Sequence, residues 1–380
     1  MKTGFLLPRS TVYPAIGYDF LDGCKSFLQH AGLPANIITD NIGFGLDEKE
    51  VYSKNEAMLL SHNADVVVAF VDGRCADMLQ PLYTATGKIL LLVNMGAHYP
   101  DILSSPSPVI EHSFNTAFNS WLTGQLAADE KNSSSIMATS YYDGGYLNVY
   151  AMVSKYQQRG GIINYNYISH FKQEDFSTAT LQEYLKTNPE EKSMLCLFSG
   201  DVSHLMYKAM MELQQQRELK LYVSPMMLDE TLQDVLGDDF TIKNVKGHTS
   251  WVSSLDNENN RLFKKRFTEY GGKKPGIFSL LGWETGIILE QIQKLFAEGI
   301  KGTALTEKLK SIQFDSPRGW LKIDRQTQQT YSPAYLVSVA GNFDLVIEAC
   351  LENSEDERQK FYTEKPEGAA SGWRNTYLCS

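Results

Sequence analysis

Few residues in this chain have the types and the spacing that a catalytic site requires. The sequence contains no GxxxxGKS/T phosphate loop, no HExxH helix and no GxSxG turn, and no GxGxxG follows its first predicted strand. Cys75 is the one candidate nucleophile, and a small residue beside a ligand or in the core is its alternative interpretation. His98 and His112 are separated by a loop, which is not the spacing of a metal site. We therefore expect no bound metal or cofactor, and an enzyme only if Cys75 reacts.

Binding loops are easier to find than catalytic residues. Six loops follow predicted strands and are rich in small, polar and aromatic residues: "PRSTVYPAIG", "DGRCAD", "NMGAHYP", "YYDGGYLN", "SGDVSH" and "PMMLDE". In open α/β sheets, ligands bind beyond the carboxyl ends of the strands, where helix N-termini offer N–H groups to anions. The sequence therefore favours a small-molecule binding protein with its ligand in a cleft between such loops.

The segments between these loops alternate between apolar strands and helices. "TGFLLP", "DVVVAFV" and "KILLLVN" are continuous apolar runs, typical of strands buried on both faces of a parallel sheet. The same organisation begins again in the second part of the chain, which predicts two doubly wound α/β lobes. Two strongly helical segments, "NENNRLFKKRFTEYG" and "IFSLLGWETGIILEQIQKLFAEG", have no strand of their own. They must therefore pack on a lobe that is already built.

Composition and charge exclude several kinds of partner. The 380 residues carry a formal net charge of −10, so no basic surface is offered to nucleic acid or to anionic lipid. No segment reaches the ~18–20 apolar residues needed to insert into a membrane. The five cysteines form no CxxC pair. Cys24 and Cys196 lie in apolar runs and are expected to be buried, whereas a disulfide between Cys350 and Cys379 stays open.

Five blocks of the sequence carry a further pattern. "GFLLPRSTVYPAIGYDFLDGCKSFLQHAG" comes first, followed by "GRCADMLQPLY" and "DGGYLNVYAMVSKYQQRGG". "RFTEYGGKKPGIFSLLGWETGIIL" and "FDSPRGWLKID…YSPAYLVSV" come later. In this order and spacing, over essentially the whole chain, the blocks resemble the type I periplasmic binding proteins. The resemblance is to the branched-chain amino-acid-binding branch, which delivers ligands to ABC transporters.

The resemblance implies an α/β fold of two Rossmann-like lobes joined by a three-strand hinge, with the ligand cleft between the lobes. It assigns residues 1–115 and 250–325 to lobe one, and residues 116–249 and 326–380 to lobe two. The chain would cross between the lobes near Ser113–Asn119, Gly247–Val252 and Asp324–Pro333. The strands "AYLVSVAG" and "FDLVIEA", joined at Gly341-Asn342, would form a hairpin that finishes the second lobe.

The resemblance also implies where a ligand's anionic group binds, and here the chain departs from the family. Amino-acid binders have Ser and Thr in the second and third lobe-one loops. This chain has Arg74-Cys75 in one loop and Met95 to His98 in the next. Backbone N–H groups of the latter loop could bind a carboxylate, and an arginine could add a bidentate ion pair, although a surface position is the alternative for each arginine. The candidate anion-binding residues are Arg9, Arg74, Met95, Gly96 and Ala97.

The remaining predicted site residues would hold the body of the ligand and any cationic group. Asp201 would face a cation. Aromatic side chains at predicted cleft positions favour a ligand with an apolar or aromatic body, although each could lie in the core instead. These candidates are Tyr13, Tyr142, Tyr146, Trp251 and Phe278, with Cys75 and Met226 beside them.

Three functions stay open at this stage. The first is a non-enzymatic, monomeric receptor that closes on an amino acid or related carboxylate, aromatic acids included, and delivers it to an ABC permease. The second is a cytoplasmic ligand sensor of the same fold that regulates a protein partner. The third is an α/β enzyme that uses Cys75. The first strand starts at Thr3 and leaves no room for a signal peptide. The expected location is therefore periplasmic for a processed form and cytoplasmic if residue 1 is the native start.

Overall fold

The computed structural model describes residues 1–368 and residue 371. The strands are β1 Thr3–Leu7, β2 Ile37–Asn41, β3 Val66–Phe70, β4 Ile89–Asn94, β5 Val109–Ser113, β6 Ser134–Thr139, β7 Ile162–Ile168, β8 Ser193–Leu197, β9 Lys220–Val223, β10 Val245–Thr249, β11 Phe314–Ser316, β12 Gly319–Ile323, β13 Thr330–Tyr331, β14 Ala334–Ala340 and β15 Asp344–Leu351. The helices are α1 Ile16–His30, α2 Glu48–Leu60, α3 Cys75–Thr86, α4 Thr116–Asp129, α5 Leu147–Gln158, α6 Ala179–Thr187, α7 Asp201–Gln216, α8 Gln233–Leu236, α9 Glu258–Gly271, α10 Ile277–Ala297, α11 Gly302–Leu309 and α12 Glu355–Thr363.

The first lobe is built on a five-stranded parallel sheet in the order β2-β1-β3-β4-β5. Every residue of β3 and β4 is buried, as their unbroken apolar sequences predict. Separate apolar clusters cover the two faces of the sheet, one containing Phe20 of α1 and the other containing Leu79 and Tyr83 of α3. Burial on both faces is the reason that these strands lack polar alternation.

The second lobe is built on a seven-stranded sheet in the order β15-β14-β10-β9-β8-β6-β7. The strands from β7 to β10 are parallel, and β14 and β15 join them as an antiparallel hairpin. The hairpin turns through Gly341 and Phe343, both with positive φ. The predicted hairpin is therefore confirmed, and it closes the edge of the sheet rather than forming a separate unit.

Helices α9 and α10 pack on α1 of the first lobe. The absence of strands beside them predicts packing on an existing lobe, and the family resemblance assigns them to the first. Two glycines allow α1 and α10 to lie in close contact. A Cβ atom on Gly282 would lie 1.9 Å from the carbonyl oxygen of Phe20, and one on Gly23 would lie 2.1 Å from that of Ser279. Because α10 is buried along most of its length, its sequence is apolar on nearly all sides.

Two strands of the main sheets were not predicted from the sequence. β5 has the sequence VIEHS and β10 has the sequence VKGHT. Each contains charged or polar residues that no short-range pattern marks as buried, yet His112 of β5 is completely enclosed. Their positions depend on partners far away in the sequence, which is why hydrophobic periodicity does not identify them.

Three stretches of chain connect the lobes, at residues 114–115, 250–257 and 332–333. The segment before the third connection is polar in sequence, but Gln328, Gln329 and Thr330 are buried there. The side chain of Gln328 donates hydrogen bonds to the carbonyl oxygens of Ser107 and Val109, at 3.0 and 2.8 Å. Side-chain amides thus fix this segment against the first lobe. The division of the whole chain into lobes at the predicted boundaries stays a prediction.

Candidate functional site: the cleft between the lobes

The two lobes touch where the carboxyl ends of their strands face each other. The backbone N–H of Gly200, after β8, donates to the Tyr13 hydroxyl oxygen, after β1, at 3.2 Å. Gly200 has a φ of 58°, and a Cβ atom on it would lie only 1.8 Å from Cγ1 of Val12. Elsewhere across the cleft, Lys274 Nζ lies 2.9 Å from Asp234 Oδ1. These contacts join the two lobes across the cleft.

An aromatic wall of the first lobe backs the cleft, with Tyr13 half-buried at its surface and the rings of Phe278 and Phe70 buried behind it. The ring of Tyr13 lies edge-on to Phe278, with 5.1 Å between centroids, and Phe278 also contacts Phe70 at 6.4 Å. A cavity of about 270 Å³ lies nearby, lined by residues of both lobes that include Asp229, Trp251 and Ile277. Such a wall suits the apolar or aromatic body of a small ligand.

Acidic side chains form the second lobe's side. Burial raises the pKa of Tyr13 well above its usual value, and the carboxylates of Asp229, Asp143 and Asp201 raise it further. Asp143 accepts hydrogen bonds from the hydroxyls of Ser140 at 2.6 Å and Ser199 at 2.9 Å, while burial raises the pKa of Asp143 to about 6. Burial also raises the pKa of Asp229. This wall favours a cationic or proton-donating group on a ligand.

Arg74 immediately precedes α3 and lies between the lobes. Its Nε donates to Asp72 Oδ1 at 2.9 Å, and its Nη1 donates to the carbonyl oxygen of Ser371. The predicted anion-binding guanidinium therefore has partners within the protein. Ser371 in turn donates its hydroxyl to the carbonyl oxygen of Gly145 in the second lobe.

A buried charged pair below Arg74 was not predicted from the sequence. His98 Nε2 lies 3.1 Å from Glu111 Oε1, and that carboxylate also accepts from Asn94 at 3.0 Å and from Gln329 at 2.9 Å. A Cβ atom on Gly73 would lie 2.8 Å from both His98 and Glu111, so the Arg74 loop packs directly on this pair. The pair connects the cleft to the buried segment of the third connection.

The His98–Glu111 pair predicts a pH-dependent contribution to stability. Burial alone would lower the pKa of His98, but the carboxylates of Glu111 and Asp72 raise it to about 9, against the small opposing effect of Arg74. A histidine whose pKa is higher in the folded state stabilises that state below its unfolded pKa of about 6.5, and this contribution is lost as the pH rises through 9. The free energy of unfolding of wild type minus that of His98→Gln should therefore decrease by on the order of 3 kcal/mol over this window.

Urea unfolding of both proteins at a series of pH values measures this difference. Glutamine keeps a side-chain donor without a titrating charge, so it is the matched control. The pKa of Glu111 and that of Asp72 are lowered, so neither acid titrates in the window. A difference that stays constant from pH 6 to 9.5 would show that folding does not raise the pKa of His98.

Cys75 does not lie where a nucleophile is needed. It is the first residue of α3 rather than the end of a strand, and only 2 % of it is exposed. Its neighbours include the apolar cluster of Leu79 and Tyr83. Burial and, to a lesser degree, the Asp72 carboxylate raise the pKa of the Cys75 thiol to about 12, which disfavours the reactive thiolate. Cys24 and Cys196 are buried in the core, as predicted.

The loop after β4 is bonded within the protein through part of its backbone. The Gly96 N–H already donates to Asn94 Oδ1 at 2.8 Å. The Met95 side chain is buried in the core, and its carbonyl oxygen accepts from the Thr116 N–H of the first connection. Ala97 is half-buried. The Gly96 N–H is therefore engaged with Asn94 and the Met95 carbonyl oxygen with the first connection, and anion binding by this loop stays a prediction.

The other predicted residues divide between cleft and core. Asp201 and Tyr142 keep exposure at the carboxyl ends of second-lobe strands. Tyr146 and Met226 are buried, and buried Trp251 donates from Nε1 to Asn260 Oδ1 at 2.9 Å. Arg9 is exposed beside a separate cavity of about 670 Å³ between the ends of β1 and β2. Cys350 is exposed, and its suggested partner Cys379 lies outside the described residues.

Over the described residues, 1–368 and 371, no cluster of three metal-ligating side chains is found. Within the same part of the chain, every helix is too short or too polar to cross a membrane. The two ring nitrogens of His112 are hydrogen-bonded within the protein, Nδ1 with Thr330 Oγ1 at 3.0 Å and Nε2 with the Leu281 carbonyl oxygen at 3.2 Å.

Solved structures of similar fold are solute-binding proteins of ABC transporters. A solute-binding protein from Rhodopseudomonas palustris BisB5, in complex with 3,4-dihydroxybenzoic acid, is 17% identical with a TM-score of 0.72, covering 94% of this chain and 99% of that one. A second from R. palustris, in complex with benzoate, is 19% identical with a TM-score of 0.74, covering 92% and 96%. A branched-chain amino acid ABC transporter periplasmic ligand-binding protein from Burkholderia xenovorans LB400 is 16% identical with a TM-score of 0.71, covering 93% and 96%.

At these identities the structural likeness establishes the fold. The search of curated proteins finds no match. The sequence profile of the family described as periplasmic binding protein matches residues 1–344, which is most of the 380-residue chain. With two α/β lobes and a cleft at the carboxyl ends of both sheets, the chain belongs to the type I periplasmic binding protein family.

Proposed function

We propose that this protein is a non-enzymatic receptor that binds a small carboxylate-bearing ligand between its lobes and presents it to an ABC permease. The observation that carries the proposal is the convergence on Tyr13 of an aromatic wall from one lobe and an acidic wall from the other. Clefts of this kind, at the carboxyl ends of parallel strands, are the usual ligand sites of open α/β folds. Members of this family are solute-binding proteins rather than enzymes, and are normally periplasmic.

The charges of the two walls support a ligand that is an amino acid or a related aromatic acid. Arg74 offers a cation on the first lobe, while Asp143, Asp201 and Asp229 place negative charge on the second. An amino acid with an apolar or aromatic side chain complements both walls. An aromatic acid without an amine would require Asp143 and Asp229 to be protonated, and the raised pKa of each makes protonation less costly than for an ordinary aspartate.

A thermal-shift screen tests this proposal. Its arms are aliphatic amino acids, aromatic amino acids, benzoate and hydroxybenzoates, each at several concentrations. A ligand present at about one hundred times its Kd should stabilise the folded protein by about 2.7 kcal/mol. Native mass spectrometry then gives the mass of any ligand retained. Binding of none of these classes would contradict the proposed ligand chemistry.

Arg74→Ala is expected to weaken binding of the identified ligand by at least about ten-fold. The physical reason is the loss of charged hydrogen bonds to the ligand's carboxylate, each of which contributes roughly 1.5–3 kcal/mol. Isothermal titration of wild type and variant measures the ratio of Kd values. Arg74→Lys is the matched control, because it keeps the charge and loses the bidentate geometry.

The stability of Arg74→Ala should change little, since the Arg74–Asp72 pair is partly exposed. Equal affinities of two folded proteins would mean that Arg74 bonds only within the protein, to Asp72 and Ser371, and would remove it from the ligand site. Arg74→Lys should bind with intermediate affinity.

The permease, the monomeric state and a periplasmic location are parts of the same proposal. A ligand-dependent increase in the ATPase activity of a reconstituted permease would support transport, and light scattering gives the mass in solution. The sensor alternative predicts a different, non-membrane partner. The enzyme alternative has lost its structural support, because Cys75 is buried among apolar side chains.

A further inference from the structure

Ser371 bridges the two walls of the cleft. Its carbonyl oxygen accepts from the Arg74 guanidinium on the first lobe, and its hydroxyl donates to the Gly145 carbonyl oxygen on the second. Arg74 follows β3, and Gly145 ends the short turn after β6. Both partners therefore stand at the carboxyl ends of parallel strands, the places from which a ligand in this fold is held.

The route of the chain into the cleft is fixed by described contacts. Helix α12 is anchored by Arg358, which is 2 % exposed and lies over the rings of Phe118 and Tyr331 at 4.7 and 4.8 Å. After the helix, Glu364 Oε2 lies 2.7 Å from Lys155 Nζ on the second lobe. The next residue, Lys365, approaches Asp101 of the first lobe at 3.6 Å. Lys365 thus lies at the boundary between the lobes, and Ser371, six positions further along the sequence, contacts Arg74.

The contact between Ser371 and Arg74 uses the donor that the proposed ligand would need. A carbonyl oxygen and a carboxylate oxygen are both hydrogen-bond acceptors, so the Ser371 carbonyl oxygen would compete with a ligand carboxylate for the Arg74 guanidinium.

We propose that the C-terminal segment carrying Ser371 is an intramolecular occupant of the cleft, which a carboxylate ligand must displace from Arg74. Displacement of the segment by a ligand rests on the proposed function, whereas occupancy of the cleft by the segment does not. Such an occupant lowers the apparent affinity of the receptor, because only the fraction of molecules with a vacated cleft is competent to bind. The segment therefore sets the ligand concentration at which the receptor responds.

Disulfide trapping in the full-length chain tests occupancy. The variant is Gly145→Cys with Ser371→Cys, in a Cys350→Ser, Cys379→Ser background; Cys24, Cys75 and Cys196 are buried. The matched control carries Glu183→Cys in place of Gly145→Cys and is otherwise identical. Glu183 is exposed on α6. With oxidised glutathione, the Gly145/Ser371 pair should cross-link at least ten times faster than the control pair, as measured by peptide mass spectrometry. Equal cross-linking rates in the two proteins, both shown to be folded by circular dichroism, would overturn occupancy.

Ligand competition tests displacement with the same variant. Benzoate and L-phenylalanine are the probes, and titration of the reduced variant establishes which of them binds. A bound probe at saturation should slow the cross-link, and the cross-linked protein should bind that probe at least ten-fold more weakly than the reduced protein. Equal binding by the two forms would overturn displacement. If neither probe binds the reduced protein, the proposed ligand class fails, while the trapping rate still decides occupancy.

Discussion

Replacing Arg318 by methionine should lower the free energy of unfolding by about 3–5 kcal/mol, the largest stability effect that we expect from a single substitution in this chain. Arg318 and Glu284 are both completely buried. The guanidinium donates from Nε to Oε1 at 2.8 Å and from Nη2 to Oε2 at 2.6 Å, and a third donor, Nη1, reaches the Ser113 carbonyl oxygen at 3.3 Å. Methionine fills much of the same volume but leaves the Glu284 carboxylate without its counter-charge.

The double variant Arg318→Met with Glu284→Leu separates the two contributions to this loss. Removing both charges also removes the desolvation penalty of the pair, so the double variant should recover most of the stability. Urea unfolding followed by tryptophan fluorescence measures all four proteins of the cycle. If Arg318→Met alone lowers the free energy of unfolding by less than about 1 kcal/mol, Glu284 has found another partner or has taken up a proton.

Replacing Gly200 by alanine should prevent the lobes from closing and weaken ligand binding by roughly ten- to a hundred-fold. The added Cβ atom would lie 1.8 Å from Val12 Cγ1, which belongs to the other lobe, so the clash exists only in the closed form. Small-angle scattering should give a larger radius of gyration for Gly200→Ala than for wild type, with or without ligand. Calorimetric titration measures the affinity.

Two consequences of Gly200→Ala can be told apart. Gly200 has a φ of 58° and a ψ of −138°, a conformation that costs a non-glycine residue about 1–3 kcal/mol whether the lobes are open or closed. Adding Val12→Gly removes the clash but not this strain. The double variant should therefore regain affinity and the smaller radius without regaining stability. Unchanged radius and affinity in Gly200→Ala alone would show that closure does not need this contact.

The buried segment before the third connection illustrates what the sequence hides. "RQTQQT" has the composition of a solvent-exposed loop, but Gln328 and Gln329 are enclosed and bonded to residues more than 200 positions earlier. The Pro-Arg-Gly turn likewise has the sequence of a surface turn, although Arg318 lies among the most deeply buried side chains. Polar groups can be buried when partners satisfy them, and those partners are brought close only by folding.

The sequence by itself determined the α/β class and the two lobes, because apolar strands, helical spacing and turn residues act over short stretches. Its resemblance to a known family added the packing of α9 and α10 on the first lobe and the final hairpin. The position of Arg74 between a strand and a helix was also local. Only the tertiary structure decided that Arg74 is bonded to Asp72 and Ser371, that Cys75 is buried, and that His98 and Glu111 form a charged pair. These features depend on contacts between distant segments, and a side chain's partners are set by which strand ends the fold brings together.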